Sequence, residues 1–213
     1  MSKPPTPVNA EKDEYIKRFL CFPLFYIYMN CEQLRNYIRT KYHIPLEILK
    51  SMIIQSRMTD SQILNWHIPA LPGGGGSLQP GRAILNREEF ETLADVLNSG
   101  DPWRIKQALG ENGIYIASIL RNKPYITVYR ASLFPIIPGS YVTESREYAI
   151  FHRDYVNAPE YKIYSLTAPP SSLGWCGDTH EFIFIPTIEE WKHIAKMRVS
   201  KYPIELQNDV LKC

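Results

Sequence analysis

The first third of the chain carries apolar residues at helical spacing. Ile16, Leu20, Leu24 and Tyr28 recur between Glu14 and about Thr40, which marks one buried helix face. Pro23 lies inside this run and predicts a break into two helices, because proline lacks the N–H that the ladder needs. Pro45 suits a first helical turn and predicts a further helix through Leu49, Met52 and Ile53. DSQILNWHI, residues 60–68, reads as a short helix. Residues 1–12 show no periodicity and read as a disordered tail, so residues 13–68 form a helical module. The stretch PALPGGGGSLQPGR, residues 69–82, is a linker or loop, since four consecutive glycines hold neither helix nor strand cheaply.

Two capped helices are predicted next. Asn86 and Glu89 have the residue types of a capping box before Phe90, Leu93 and Val96. Asp101 and Pro102 have those of an N-cap and first helical position, opening a helix from Trp103 to about Leu109. Gly110 and Gly113 end or interrupt it, and Ile114 to Leu120 reads as a further helical stretch. From Tyr125 the texture changes to β-branched and aromatic residues. YITVYRA, Tyr141 to Thr143, Lys162 to Leu166 and Phe182 to Ile185 are expected strands. Ser145 opens a helix between them, and Thr187 with Glu190 caps a last helix through Trp191 and Ile194. Helices dominate the first half and short strands the second, without an internal repeat. That segregation predicts an α+β fold rather than alternating βαβ units, with residues 83–213 as a second domain.

Composition changes this picture little. Hydrophobic residues make up 45% and charged residues 22%, enough for a sizeable core. The net charge of +2 demands neither nucleic acid nor a membrane surface as partner. Tyr outnumbers Phe by 14 to 8, which suits half-buried walls, either a core rim or a ligand cleft. Cys21, Cys31, Cys176 and Cys213 form no C-x-x-C pair and no zinc-site spacing, so free thiols and no metal are expected. The N-terminus lacks a signal-peptide apolar region, and the apolar stretch Phe19 to Met29 is shorter than the roughly 20 residues that span a bilayer. These features predict a cytoplasmic protein, including one delivered into the cytoplasm of a host cell. Gly73 to Ser77 lacks the lysine that a phosphate-binding loop of the Walker type requires.

Three segments carry candidate chemistry. Arg130 ends the strand VYRA, where a charge needs a partner; the position is an ordinary salt bridge, an exposed strand end, or a guanidinium whose planar fork grips a phosphate. In PGSYVTESREYAIFH, Thr143 and Ser145 lie two apart and share a face if the chain stays extended, and Ser145 has the residue type of an N-cap. In WCGDTHEFIFIP, a long loop holding Trp175, Cys176 and His180 delivers Glu181 to the start of an apolar strand.

In this order the three segments resemble the mono-ADP-ribosyltransferases of the arginine–serine–glutamate clade. The matching elements are Arg130 in VYRA, Thr143-Glu144-Ser145, and Glu181 in HEFIF. The likeness is nearest to bacterial and phage members whose middle element reads like PGxxVTxSxEYA, and it covers about residues 122–198.

The resemblance implies an ADP-ribosyltransferase core of short, mainly antiparallel strands around an NAD cleft. It implies NAD as co-substrate and a macromolecular acceptor, a protein side chain rather than a nucleic acid, in the setting of a bacterial effector, toxin or phage protein. Arg130 would contact the NAD pyrophosphate or the nicotinamide-side ribose. Ser145, with Thr143 beside it, would orient Glu181 and hold the nicotinamide pocket, where Tyr148 would stack. Glu181 would bind the ribose 2′-OH, and Trp175, Thr179 and His180 would meet the acceptor. Arginine-modifying members carry a glutamate two residues before the catalytic one; here Thr179 stands there, so an acceptor other than plain arginine is expected. Hydrolysis of NAD by water, or a non-catalytic binding or inhibitory module on the same fold, are the alternative readings.

Overall fold

The computed structural model describes residues 29–68 and 78–213. The expected tail over residues 1–12, the helix pattern up to Tyr28 and most of the Gly/Pro-rich stretch lie outside the described residues. The chain divides into two compact units, one comprising residues up to Ser56 together with Ala195–Cys213, the other Arg57–Ile194.

In the first unit, helix α1 (Cys31–Tyr42) starts at a reciprocal capping box between Asn30 and Gln33. Helix α2 (Leu46–Ser56) follows Pro45, as its spacing predicts. Their apolar faces, with Leu34, Ile38, Leu49 and Ile53, close over Val199, Leu206 and Val210. The last two belong to helix α10 (Ile204–Lys212), which lies beyond the helix expected to be last. Buried Gln207 is satisfied there, its side-chain amide donating to the Val199 and Tyr202 carbonyls at 3.1 and 2.9 Å. A disulfide joins Cys31 to Cys213 across 182 residues of sequence. This corrects the expectation of free thiols throughout. No spacing motif advertises a pair so far apart, and only the packing of α1 and α10 around α2 brings the two Cα atoms to 5.4 Å. Cys176 is a free thiol, and Cys21 lies outside the described residues.

The second unit is α+β. Its helices are α3 (Asp60–Leu64), α4 (Pro80–Leu85), α5 (Leu93–Ser99), α6 (Pro102–Leu109), α7 (Gly113–Leu120) and α8 (Arg146–Tyr155). Helix α9 (Ile188–Val199) begins here at the predicted Thr187–Glu190 box, with Thr187 N donating to Glu190 at 2.7 Å and Glu190 N to Thr187 at 3.1 Å. The expected start of α5 is displaced. Asn86 already ends α4, and its side chain donates to Glu89 across a short 3-10 turn. The capping box that starts α5 is Thr92 with Asp95. Asp101 caps α6 as expected, accepting from Trp103 N at 2.9 Å.

Strand β1 (Ile126–Ser132) pairs antiparallel with β3 (Lys162–Ala168), from Ile126 opposite Ala168 to Ser132 opposite Lys162. A second antiparallel sheet has the order β2 (Tyr141–Val142), β5 (Phe182–Phe184), β4 (Leu173–Trp175). Strand β4 was not expected from the sequence; its three residues include Gly174 and show no alternation. The sheets touch at one bridge, where Tyr129 and Thr143 exchange backbone hydrogen bonds of 2.7 and 2.9 Å. β5 is central, and Phe182, Ile183 and Phe184 are all buried. That explains why this segment reads as a continuous apolar run. Phe184 packs edge-on to the buried Trp191 of α9; burying side chains of this size contributes about 1.5–3 kcal/mol each.

The Pro138-Gly139 turn aims β2 at the junction of the two sheets. Gly139 has φ +82°, and a β-carbon there would stand 1.9 Å from the Leu78 carbonyl oxygen. The same glycine donates its N–H to the Phe184 carbonyl at 2.8 Å. Gly139→Ala is therefore expected to cost at least about 2 kcal/mol, from left-handed strain and the displaced backbone together. A thermal melt checks this: an unchanged midpoint would show that the turn accommodates a side chain. Among the described residues no helix is long and apolar enough to cross a membrane.

Candidate functional site

The second unit holds a cleft of about 630 Å³ where the two sheets meet, within the size range of small-molecule sites. Arg130 from β1, Thr143 after β2, Tyr148 from α8, and His180 and Glu181 before β5 all line it. Thus residues 51 positions apart in sequence, from 130 to 181, reach one concavity. Four tyrosines, Tyr129, Tyr141, Tyr148 and Tyr161, form part of its wall. The apolar rim is Leu133, Phe134, Pro135 and Ile137.

Arg130 is half-buried, with Nη1 donating to the Tyr141 carbonyl at 3.3 Å. Burial pulls its guanidinium below the ordinary value, partly offset by Tyr161 and Tyr141. A cation fixed in a half-dry wall by a backbone carbonyl of β2 is suited to gripping an anionic ligand group.

Thr143 is buried, and its hydroxyl accepts from Ser145 N at 3.1 Å. The chain turns there, so Thr143 and Ser145 divide between the cleft and the helix start. Ser145 caps α8, accepting from Tyr148 N at 3.1 Å, and its hydroxyl donates to Glu147 at 3.4 Å. It does not line the cleft. The hydrogen bond to the candidate carboxylate comes instead from Tyr148, whose hydroxyl donates to Glu181 Oε1 at 3.1 Å. Ser145 thereby holds the helix turn that carries Tyr148. Burial first, then the Glu181 carboxylate, pushes the Tyr148 phenol up to about 12, so it remains a donor at neutral pH.

His180 sits at φ +62°, a left-handed conformation uncommon for a side-chain-bearing residue. The strained backbone is pinned by its N–H, which donates to the Ala108 carbonyl at 2.8 Å. Nδ1 faces Glu144 Oε1 at 2.5 Å, and the imidazole lies against the Tyr148 ring at 5.4 Å between centroids. The Glu144 hydrogen bond raises the His180 pKa, more than burial lowers it. Stability from this pair is therefore fully present below the unfolded value near 6.5 and is lost as pH rises through the higher folded one.

The other expected acceptor-side residues lie off the cleft lining. Thr179 Oγ1 donates to the Gln107 carbonyl at 2.9 Å, so its hydroxyl ties the loop to α6. Trp175 Nε1 donates to the Asp178 carbonyl at 2.9 Å and closes the Gly177 turn. Glu144, the middle residue of Thr143-Glu144-Ser145, is a cleft-side residue to which the sequence pattern assigns no role. Its signal was there, a carboxylate between two cap-type hydroxyl residues, but its partner is 36 positions away. Among the described residues no group of three or more His, Cys, Asp or Glu is arranged to hold a metal ion. Comparison of the chain with protein-family models, curated proteins and solved structures found no match.

Proposed function

We propose that this chain cleaves NAD and transfers its ADP-ribose to a macromolecular acceptor, a protein side chain in the first instance, releasing nicotinamide. The observation that carries the reading is the convergence of Arg130, Tyr148 and Glu181 on one cleft from three distant segments. The donor set fits the ligand chemically. A guanidinium matches pyrophosphate or ribose oxygens, tyrosine rings offer stacking surface to a nicotinamide, and a carboxylate accepts from a ribose hydroxyl. Breaking the nicotinamide–ribose bond passes through an oxocarbenium-like state, as in glycoside cleavage. A carboxylate beside the sugar stabilises the growing positive charge more than it does the ground state. The Cys31–Cys213 disulfide favours passage through an oxidising compartment over a lifetime in a reducing cytoplasm, in keeping with a protein delivered from one cell to another.

Incubation with NAD tests the reading. A transferase releases nicotinamide and labels a macromolecule in a cell lysate supplied with tagged NAD. A glycohydrolase releases nicotinamide and free ADP-ribose alone, and a binding module releases nothing, which would sink the proposal. Arg130→Lys keeps the charge but loses the planar fork. Losing one charge-assisted contact of this kind weakens binding about ten- to a hundredfold. The stabilising shift of the melting midpoint by NAD is expected to shrink accordingly; an undiminished shift would make Arg130 a wall residue only.

A further inference from the structure

A carboxylate that stabilises charge in a transition state must stand in place before the charge appears. Glu181 is delivered by the loop from Cys176 to His180, and loops hold a side chain less tightly than helices or strands do. Contacts on three sides offset that. First, the loop is tied to the last turn of α6. Thr179 Oγ1 donates to the Gln107 carbonyl at 2.9 Å and His180 N to the Ala108 carbonyl at 2.8 Å; carbonyls in that turn have no partner within the helix. Second, the imidazole of His180 packs on Gly110, where a β-carbon would stand 2.6 Å from Nε2. Third, Nδ1 meets Glu144 Oε1 at 2.5 Å, and the Glu144 side chain is only 6% exposed. The Nδ1–H tautomer and the imidazolium can both donate to that oxygen, so the contact forms with the ring neutral or charged. Held in this way, the imidazole lies against the Tyr148 ring at 5.4 Å between centroids. The Tyr148 hydroxyl donates in turn to Glu181 Oε1 at 3.1 Å. Buried Glu144 thus reaches Glu181 through two rings.

We infer that Glu144 and His180 are positioning residues: together they clamp the loop and the Tyr148 ring, and so hold the Glu181 carboxylate in its place in the cleft. This rests on the reading of Glu181 as the group that acts on NAD. Neither residue gives or takes a proton in this role. Glu144 is buried, and Nε2 of His180 is packed against the Gly110 backbone. The left-handed backbone of His180, at φ +62°, fits a clamp, since such a conformation persists where the surroundings over-determine a residue's position. His180 is thereby assigned to the site's own carboxylate instead of to the acceptor.

Double-mutant cycles test the clamp, because a residue that acts through Glu181 loses its effect once Glu181 is disabled. Nicotinamide release is measured over a range of NAD concentrations for Glu144→Met, Glu144→Gln and Tyr148→Phe, each with Glu181 intact and combined with Glu181→Gln. Glu144→Met keeps the length of the side chain but leaves Nδ1–H without an acceptor. Its kcat is expected to fall about 10- to 100-fold, the range for a misplaced reacting group, with KM nearly unmoved. Glu144→Gln retains an oxygen acceptor and is expected to recover most of that loss. Tyr148→Phe keeps the ring, and with it any stacking on nicotinamide, but cuts the link to Glu181; a loss of about tenfold is expected, as for one hydrogen bond to a charged group. In the Glu181→Gln background, Glu144→Met and Tyr148→Phe should each cost less than about twofold. Losses of equal size in both backgrounds would overturn the inference, as would a wild-type kcat in Glu144→Met or Tyr148→Phe. So would Glu144→Gln as slow as Glu144→Met. If Glu144→Met does not fold, Tyr148→Phe and its cycle with Glu181→Gln decide alone. If the wild type releases nicotinamide and the cycles are additive, only the clamp fails. If the wild type releases none, the NAD reading fails and takes this inference with it.

Discussion

Replacing Glu181 by glutamine is expected to slow nicotinamide release by about 100- to 1,000-fold, the usual loss when one preorganised electrostatic contact to a transition state is removed. The substitution is nearly isosteric, and the Tyr148 hydroxyl, which donates to Glu181 Oε1 at 3.1 Å, finds an amide oxygen in the same place. The fold should therefore persist, and so should NAD binding, because the ground state carries little positive charge at the ribose. The loss should fall on the rate at saturating NAD and leave the affinity nearly untouched, the pattern for an interaction made mainly in the transition state. Single-turnover nicotinamide release together with a binding isotherm separates the two. Turnover at the wild-type rate in a folded Glu181→Gln protein would remove Glu181 from the chemistry.

The second large effect is on stability. Opening the Cys31–Cys213 disulfide, by reductant or by Cys213→Ser, is expected to destabilise the helical unit by about 3 kcal/mol. The bond closes a loop spanning 182 residues of sequence, and cross-links over long loops remove the most freedom from the unfolded chain. For a chain of this size, 1 kcal/mol moves the midpoint by about 2–4 °C, so the reduced protein should melt about 10 °C lower. The control is Cys31→Ser, whose melt should already be low and indifferent to reductant. Equal midpoints for the wild type with and without reductant would show that the helices of this unit hold together by their shared apolar core alone.

Local physics made much of the fold legible. Asp101 at an N-cap, Ser145 before α8, and Thr187 with Glu190 before α9 all act within four residues of themselves, and such interactions are written in short sequence windows. The strands at Ile126, Tyr141, Lys162 and Phe182 were visible for the same reason, through β-branched and aromatic runs. The displaced start of α5 shows the limit. Asn86 and Glu89 have the right residue types, yet Asn86 is already engaged as the end of α4, so Thr92 and Asp95 cap the helix instead. Two competing caps six residues apart differ by too little for spacing to choose between them.

The candidate site divides in the same way. Arg130, Thr143, Ser145, Tyr148, His180 and Glu181 could each be picked out along the chain, because an arginine ending an apolar strand or a carboxylate opening one is conspicuous against its neighbours. Which of them meet was decided by tertiary structure. Tyr148 reaches Glu181 across 33 positions and Glu144 reaches His180 across 36. Those pairings depend on the Tyr129–Thr143 bridge and on β5 lying between β2 and β4. The same holds for Cys31 and Cys213, and for Gly110, whose lack of a side chain matters only because His180 is folded against it. The sequence by itself determined the local elements, the apolar centre of β5 and the set of chemically capable side chains, since each depends on residues within a turn or a strand. The partners of those side chains were decided only when distant segments packed, because long-range contacts gain their energy from burial and complementarity that no window of neighbouring residues contains.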